Sequence, residues 1–421
     1  MARGDQSTEL LRKLQAMPME AKVLLTQARL DEFWTGYNTI GWGNAYISFS
    51  GGKDSTVLLD IARKRYPDIP AVFSNTGLEY PEIRKFAQAH DNVETVYPKM
   101  RFDEVITKYG YPLIGKDVAE AIYYARKIAP QREKQNLRAS EQAHGADWCV
   151  PANTYTQTKR TELKGIRQRS GQAGVKPTGQ TGEGGAFSNA KEQFGEKSWF
   201  NKEKWLPLAR DLPIPISHYC CEIVKKRPMN AYKRKYHRYP ITATLAEESR
   251  LRKMAWLRTG CNSFEGKIQS KPMSFWTEQD VLQYIAKNDL EICSVYGDIV
   301  AVDEAGNYYD PRNLLIPGCK LKCTGCERTG CIYCAFGLHL EKGVTRFQRL
   351  AWTHPRQYEY CIGGGQWVDN PAYDPAAPKY DGEWENWNPK KIIVPSKKGL
   401  GLKIVFDMVN EIYGKDFYRY E

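Results

Sequence analysis

The hexapeptide Ser50-Gly51-Gly52-Lys53-Asp54-Ser55, set between an apolar strand and an amphipathic helix, constrains this chain more than any other stretch. Ahead of it, Ala45-Tyr46-Ile47-Ser48-Phe49 reads as a short β-strand. Behind it, Thr56 to Tyr66 reads as a helix that turns Val57, Leu58, Ile61 and Ala62 to one face, and Pro67 stops it. Adjacent glycines remove the Cβ atoms that would hold a backbone away from a phosphate. The amides of such a loop form an anion nest, and the positive end of a helix beginning near Asp54 adds to it. Ser50 and Ser55 supply hydroxyl donors, Lys53 a charge, and Asp54 a carboxylate able to hold Mg²⁺ against a phosphate oxygen. The spacing is not that of the G-x-x-x-x-G-K-[ST] loop, so this is a phosphate loop of another kind.

The strand–helix alternation continues downstream. Ala71-Val72-Phe73 is a buried strand, Pro81 and Glu82 open a helix, Val93 to Tyr97 is a third strand, and Phe102 to Tyr109 is a helix with Gly110 as its left-handed stop. This order predicts an α/β fold, a parallel sheet with helices on both faces. Leu10, Leu11, Leu14, Leu24, Leu25 and Leu30 give residues 8–35 a helical pattern, interrupted at Met17-Pro18. Later, Ile241 to Leu245 reads as a strand followed by a helix from Glu248; Thr277 and Asp280 form a capping box; and Leu402 to Ile412 is an apolar helix ended by Gly414. The chain divides into an N-terminal helical segment (1–40), an α/β nucleotide-binding domain (41–310) and a Cys-rich C-terminal region (311–421).

Charge narrows the partners. The chain carries 61 Lys+Arg against 49 Asp+Glu, a net +12 that favours polyanions, with a solvated basic surface as the plain alternative. An insert at about 126–210 breaks the alternation; residues 126–205 hold fifteen Lys/Arg against eight Asp/Glu. That basic insert is the expected contact for nucleic acid, tRNA or DNA. No run of eighteen apolar residues is present, so no membrane partner is expected, and with no apolar segment behind Met1 the expected location is cytoplasmic. In that compartment eleven cysteines read as metal or redox ligands rather than disulfides. Cys319, Cys323, Cys326, Cys331 and Cys334 crowd into sixteen residues, and Cys220-Cys221 stand as an adjacent pair far upstream. A Zn²⁺ site on Cys323, Cys326, Cys331 and Cys334 needs only local sequence, but leaves four residues between its C-x-x-C pairs and Cys220-Cys221 unused.

The hexapeptide resembles the PP-loop signature S-G-G-x-D-S of ATP pyrophosphatases and sulfonucleotide reductases. Other segments are similar to the phosphoadenylyl/adenylyl sulfate (PAPS/APS) reductase family. Asn75-Thr76-Gly77-Leu78-Glu79-Tyr80-Pro81-Glu82 resembles its D-T-G-x-x-F-P-E segment, with Asn75 in place of Asp. Cys220-Cys221 with Lys225 and Pro228 resembles C-C-x-x-x-K-x-x-P, and Glu248-Ser249-Arg250-Leu251-Arg252 resembles E-S-x-x-R. The likeness spans roughly residues 40–335 apart from the basic insert. Two features depart from the family. Ala243 and Leu245 stand where it has G-x-R before the E-S pair, and its E-C-G-x-H tail is absent, Cys361 being the one cysteine beyond Cys334.

The resemblance implies a PP-loop (adenine nucleotide alpha-hydrolase-like) fold with a Cys-rich C-terminal extension. It places ATP or another adenylyl nucleotide on Ser50, Gly51, Gly52, Lys53, Asp54, Ser55, Asn75, Thr76, Gly77, Glu248 and Arg252, with Asp54 and Lys53 catalytic. By likeness to the iron–sulfur APS reductases it implies a [4Fe–4S] cluster on Cys220, Cys221, Cys331 and Cys334. The expected function is activation of a substrate by adenylation for sulfur transfer, with a sulfur donor or thiol reductant protein as partner. Sulfonucleotide reduction to sulfite, with Cys361 or a partner supplying the thiol, is the second reading, and a nucleotide-gated nucleic-acid-binding subunit the third.

Overall fold

A computed structural model of the chain describes residues 3–35, 44–126, 203–312, 318–376 and 387–421. Most of the expected basic insert therefore lies outside the described residues. The chain forms two compact units, Met1–Val105 with Tyr219–Cys334, and Ile106–His218 with Ala335–Glu421. The first unit includes the Cys-rich segment up to Cys334.

In the first unit, α1 (Arg3–Gln15) and α2 (Met19–Trp34) precede β1 (Ala45–Phe49). Then come α3 (Lys53–Arg65), β2 (Ala71–Ser74), α4 (Pro81–Ala89) and β3 (Val93–Val96), and the division at Val105/Ile106 falls within α5 (Phe102–Tyr109). After the break follow α6 (Arg227–Tyr236), β4 (Tyr239–Ile241), α7 (Arg250–Thr259), β5 (Asn262–Ser263), β6 (Gln269–Ser270) and α8 (Glu278–Asn288). The sheet runs β3-β2-β1-β4-β6-β5, parallel except where β5 meets β6. Ile47, Val57, Leu58, Ile61 and Ala71 are fully buried, as a parallel sheet flanked by helices requires.

Strand order positions the site. From β1 the chain winds outward through β2 to β3, then restarts at β4 on the other side of β1. Where such an order reverses, the loops after the central strands part and leave a crevice outside their carboxyl ends. The hexapeptide is the loop after β1. The predicted strand Ile241–Leu245 pairs only as Tyr239–Ile241. Beyond it, Thr242 N–H still reaches Ser270 O at 2.9 Å, but the Leu245 N–H turns to the Glu248 carboxylate at 3.1 Å. Helix α7 therefore starts later than Glu248, with Ser249 accepting from Arg252 N–H at its cap.

Helix α2 is fastened to the sheet layer by a buried charge. Lys22 Nζ lies 2.6 Å from Asp280 Oδ2 and 2.7 Å from the Gln15 carbonyl. Asp280 also accepts from Thr277 N–H at 2.7 Å, completing the expected capping box of α8. Beyond α8, β7 (Ile299–Val302), β8 (Tyr308–Tyr309) and β9 (Lys320–Cys323) form an antiparallel sheet in the order β8-β7-β9.

In the second unit, α9 (Arg346–Thr353), α10 (Pro355–Ile362) and α11 (Leu402–Tyr413) accompany the hairpin of β10 (Gln366–Asp369) and β11 (Lys391–Val394). Arg126 is buried there without a carboxylate: it donates to the carbonyls of Leu208, Ala209, Leu212 and Ile214, and its guanidinium lies 4.1 Å from the Trp387 ring centroid. Among the described residues, no helix is long and apolar enough to cross a membrane.

Candidate functional site

The phosphate loop is built as its residue types demand. Gly51 has φ +71°, a left-handed conformation, and a Cβ there would sit 3.0 Å from Ile83 Cγ2. Gly52 caps α3 with no side-chain hydrogen bond. The first N–H groups of α3 have no partner within the helix and carry its positive dipole end. Ser50 and Ser55 hydroxyls meet at 3.0 Å, and Ser55 Oγ donates to Gly52 O at 2.9 Å, which fixes the turn from inside. Ser50 N–H reaches Ser55 Oγ at 3.2 Å, while Gly52 N–H to Ser50 Oγ and Lys53 N–H to the Tyr296 hydroxyl are both long, at 3.3 Å. Bonds of that length are weak and readily exchanged for a phosphate oxygen.

Lys53 is held sideways. Its buried ammonium lies 2.7 Å from Glu278 Oε1 and donates to the Glu327 carbonyl. Burial pushes the Asp54 carboxyl above its ordinary value; Lys53, Arg328 and Arg252 pull it back, and Glu278 pushes it further. Arg252 pairs with Glu248, and Arg328 approaches the same carboxylate at 3.9 Å. Burial and the neighbouring Arg328 both push the Arg252 guanidinium down. Two cations thus converge beside the loop with Glu248 between them. The sequence pointed to Glu248 and Arg252 as candidates but not to Arg328, Glu278 or Tyr296, which no local spacing ties to the loop.

The loop after β2 is rigid on its own bonds. Asn75 Oδ1 accepts from Gly77 N–H at 3.1 Å, and Glu79 accepts from Thr76 N–H at 3.0 Å and from the Thr76 hydroxyl at 2.6 Å. This leaves Gly77, at φ +75°, exposed with nothing within 4 Å of where a Cβ would stand. The loop is also tied to the cysteines, since Ile332 N–H donates to Leu78 O at 2.8 Å.

Cys220, Cys221, Cys331 and Cys334 are brought together. Cys220 and Cys221 sulfurs lie 3.9 Å apart. The Cys220 thiol is pushed far up by its hydrogen bond to Cys221, by burial, and by the charges of Cys221, Cys334 and Cys331. Burial pushes Cys331 up, and Lys225, which hydrogen-bonds it, partly offsets this. Burial lowers the Lys225 ammonium less than Cys331, Glu79 and Cys221 raise it. Lys225 lies in a π-helical segment, Glu222–Lys226, between Cys220-Cys221 and α6. The widened turn is closed by Arg227 N–H on the Glu222 carbonyl five residues back, just ahead of Pro228. Pro228 has no N–H for the Val224 carbonyl four residues back, and that carbonyl takes the Ser74 hydroxyl at 3.4 Å instead.

The cysteines of the local zinc alternative are dispersed. Cys323 ends β9 where Lys53, Glu278, Glu327 and Asp54 act on it; Cys326 acts on Cys293; Cys331 and Cys334 join Cys220-Cys221. Among the described residues no three His, Cys, Asp or Glu side chains are close enough to share one metal ion. A single zinc needs its ligands around one point. Cys220, Cys221, Cys331 and Cys334 act on one another and on the Lys225 cation, but they too form no such group among the described residues. Cys361 is fully buried in α10, its thiol pushed well up by burial, which is the environment of an inert cysteine rather than a nucleophile. His339 stacks on Phe417 at 5.0 Å in the second unit.

Residues 44–145 and 184–336, more than half the chain, match the family profile described as "Phosphoadenosine phosphosulfate reductase domain". The chain belongs to that family. Those residues thus form a phosphoadenosine phosphosulfate reductase domain of the PP-loop kind. An uncharacterized protein of Methanocaldococcus jannaschii is 39% identical over 118 residues, 27% of this chain and 28% of that protein, so the match spans under a third of the relative's length. A phosphoadenylyl-sulfate (PAPS) reductase from Candida auris, solved as a phosphate complex, aligns over 69% of this chain and 89% of its own at 12% identity, with a TM-score of 0.29. At that score it says nothing about the site.

Proposed function

We propose that this chain binds ATP or a closely related adenylyl nucleotide and activates a substrate as its adenylate, the activated group then receiving sulfur. The observation that carries the reading is the start of α3 at the β1/β4 reversal, its amides held only by long bonds, with Asp54, Arg252 and Arg328 gathered beside it. The amides of the hexapeptide bind the anionic tail, and the paired guanidiniums stabilise the charge that grows as pyrophosphate departs. Asn75, Thr76 and Gly77 present a rigid backbone edge to the adenine. Asp54, with the nucleotide's own oxygens, would hold Mg²⁺, which neutralises phosphate charge when bound. Cys220, Cys221, Cys331 and Cys334 would hold a [4Fe–4S] cluster, which supplies a redox centre or a corner for an extra sulfur. Lys225 keeps a positive charge beside Cys331, which favours the thiolate form that ligation requires.

The test is pyrophosphate release from ATP with candidate acceptors, alongside iron content and an anaerobic absorption spectrum. Acceptor-dependent release, lost in Asp54→Ala, is expected. No release by the wild type, or equal release by Asp54→Ala, would overturn the reading. Sulfite formation from phosphoadenylyl sulfate would instead select the reductase reading, with the thiol supplied by a partner because Cys361 is buried.

A further inference from the structure

A second charged feature adjoins the site on the β4–β6–β5 side of the sheet. Backbone geometry fixes its course. Asn262 pairs with Ser270 and Ser263 with Gln269, which puts Lys267 in the exposed turn between β5 and β6 and Lys271 just past the carboxyl end of β6. Lys271 N–H donates to Cys261 O at 2.8 Å, which brings Lys271 beside the end of α7, where Arg258 is exposed. On α6, Lys233 lies 4.6 Å from the ring centroid of Tyr239, the first residue of β4. Cations therefore run from the amino end of β4 and β6 to their carboxyl end, where Arg252 stands beside the phosphate loop. From Lys267 to Lys271 an extended run is about 13 Å, or about four base-pair rises along the axis of a duplex.

These cations feel one another. Lys271 is pushed down by burial and then by Lys267, Arg252 and Arg258, and Lys233 by burial and then by Lys267. Among the described residues no carboxylate forms an ion pair with Lys233, Arg258, Lys267 or Lys271. Beside them on α7, Leu251 is 82% exposed and Met254 47%, apolar surface of a kind that bases can cover. A fold that leaves a row of like charges unpaired holds a standing repulsion that a polyanion relieves.

We propose that this row, Lys233–Lys267–Lys271–Arg258, is a binding track for the backbone of a nucleic-acid strand, which it leads towards the phosphate loop. A linear array of cations that ends at a phosphate site fits a polymer of evenly spaced phosphates better than an acidic protein, whose carboxylates follow no such spacing. The track lies outside the basic insert, and it does not depend on the adenylation reading, since binding alone reads it.

Fluorescence anisotropy of the full-length protein with a labelled oligonucleotide of about 20 nucleotides, single-stranded or duplex, across a salt series tests it. The triple variant Lys233→Ala/Arg258→Ala/Lys267→Ala should weaken binding at least about tenfold and lower the slope of log K against log salt by about two to three. A control that removes the same charge from the second unit, Lys397→Ala/Lys398→Ala/Lys415→Ala, should leave both nearly unchanged. Lys267→Glu alone, at an exposed turn, gives a smaller loss in the same direction should the triple variant fold poorly. The proposal is overturned by an absence of salt-dependent binding, by equal losses in the track and control variants, or by polyglutamate displacing the oligonucleotide as well as unlabelled oligonucleotide does.

Discussion

At the scale of single residues, the candidate site holds a carboxyl that stability alone does not favour in its ionised form. Burial holds the Asp54 carboxyl above its ordinary value, so the folded protein binds that proton more tightly than the unfolded chain does. Stability is therefore lost as pH rises through the folded value, and the ionised carboxylate is a liability at neutral pH. Asp54→Asn should raise the melting temperature at pH 7 by a few degrees, lose that gain at acidic pH, and abolish nucleotide turnover; calorimetry at both pH values beside a turnover assay checks this. Arg328 makes a complementary case, because it acts on Asp54 and Glu247 as well as Arg252 and meets Glu248 only at 3.9 Å. Arg328→Ala should weaken nucleotide binding about tenfold by isothermal titration, the loss expected for one charge-assisted contact, with little change in melting. Arg328 was illegible in the sequence. It stands in the Cys-rich segment, 274 residues beyond Asp54, and only the return of that segment over the loop brings them together. Ser50 to Ser55 was legible because its requirements are local: glycines for close approach and a helix start for the dipole.

At the scale of elements, the helix from Cys220 to Tyr236 sets an imino acid close behind Lys225. Pro228 has no N–H to offer Val224, which lies in the π segment that also contains Lys225. Pro228→Ala would restore the missing donor and draw that turn back toward α-helical pitch, rotating Lys225 and the cysteine pair against Cys331 and Cys334. The expected result is an unchanged or slightly higher melting temperature with markedly less iron retained per chain, read by metal analysis after anaerobic purification. Helix α8 gives a simpler expectation: Thr277→Val removes the cap hydroxyl that accepts from Asp280 N–H, at a cost of about 1 kcal/mol in chemical denaturation. That cap was legible as a short pattern of residue types. The strand predicted at Ile241–Leu245 was only partly so: Thr242 to Leu245 carry strand-like side chains, but a carboxylate three residues on captures the Leu245 amide and ends the ladder early.

At the scale of the whole chain, contacts distant in sequence decide what folds with what. The N-terminal helices read as a separate segment, yet Lys22 reaches Asp280 across 258 positions, and that buried ion pair is also part of the α8 cap. Lys22→Ala leaves Asp280 without its partner and should cost about 3–5 kcal/mol in denaturant unfolding, far more than Lys13→Ala, whose pair with Glu9 is exposed. The parallel sheet and its order of helices were legible because each unit of alternation is local. The division into two units was not, because the chain interleaves them. The grip of Lys53 on the Glu327 carbonyl joins residues 274 positions apart. Closing so long a span comes late when a chain collapses, because the entropy of the intervening segment must be lost first. The phosphate loop thus takes its final shape only after the Cys-rich segment has been synthesised and folded back, and a nascent chain still lacking that segment holds an unfinished receptor for nucleotide.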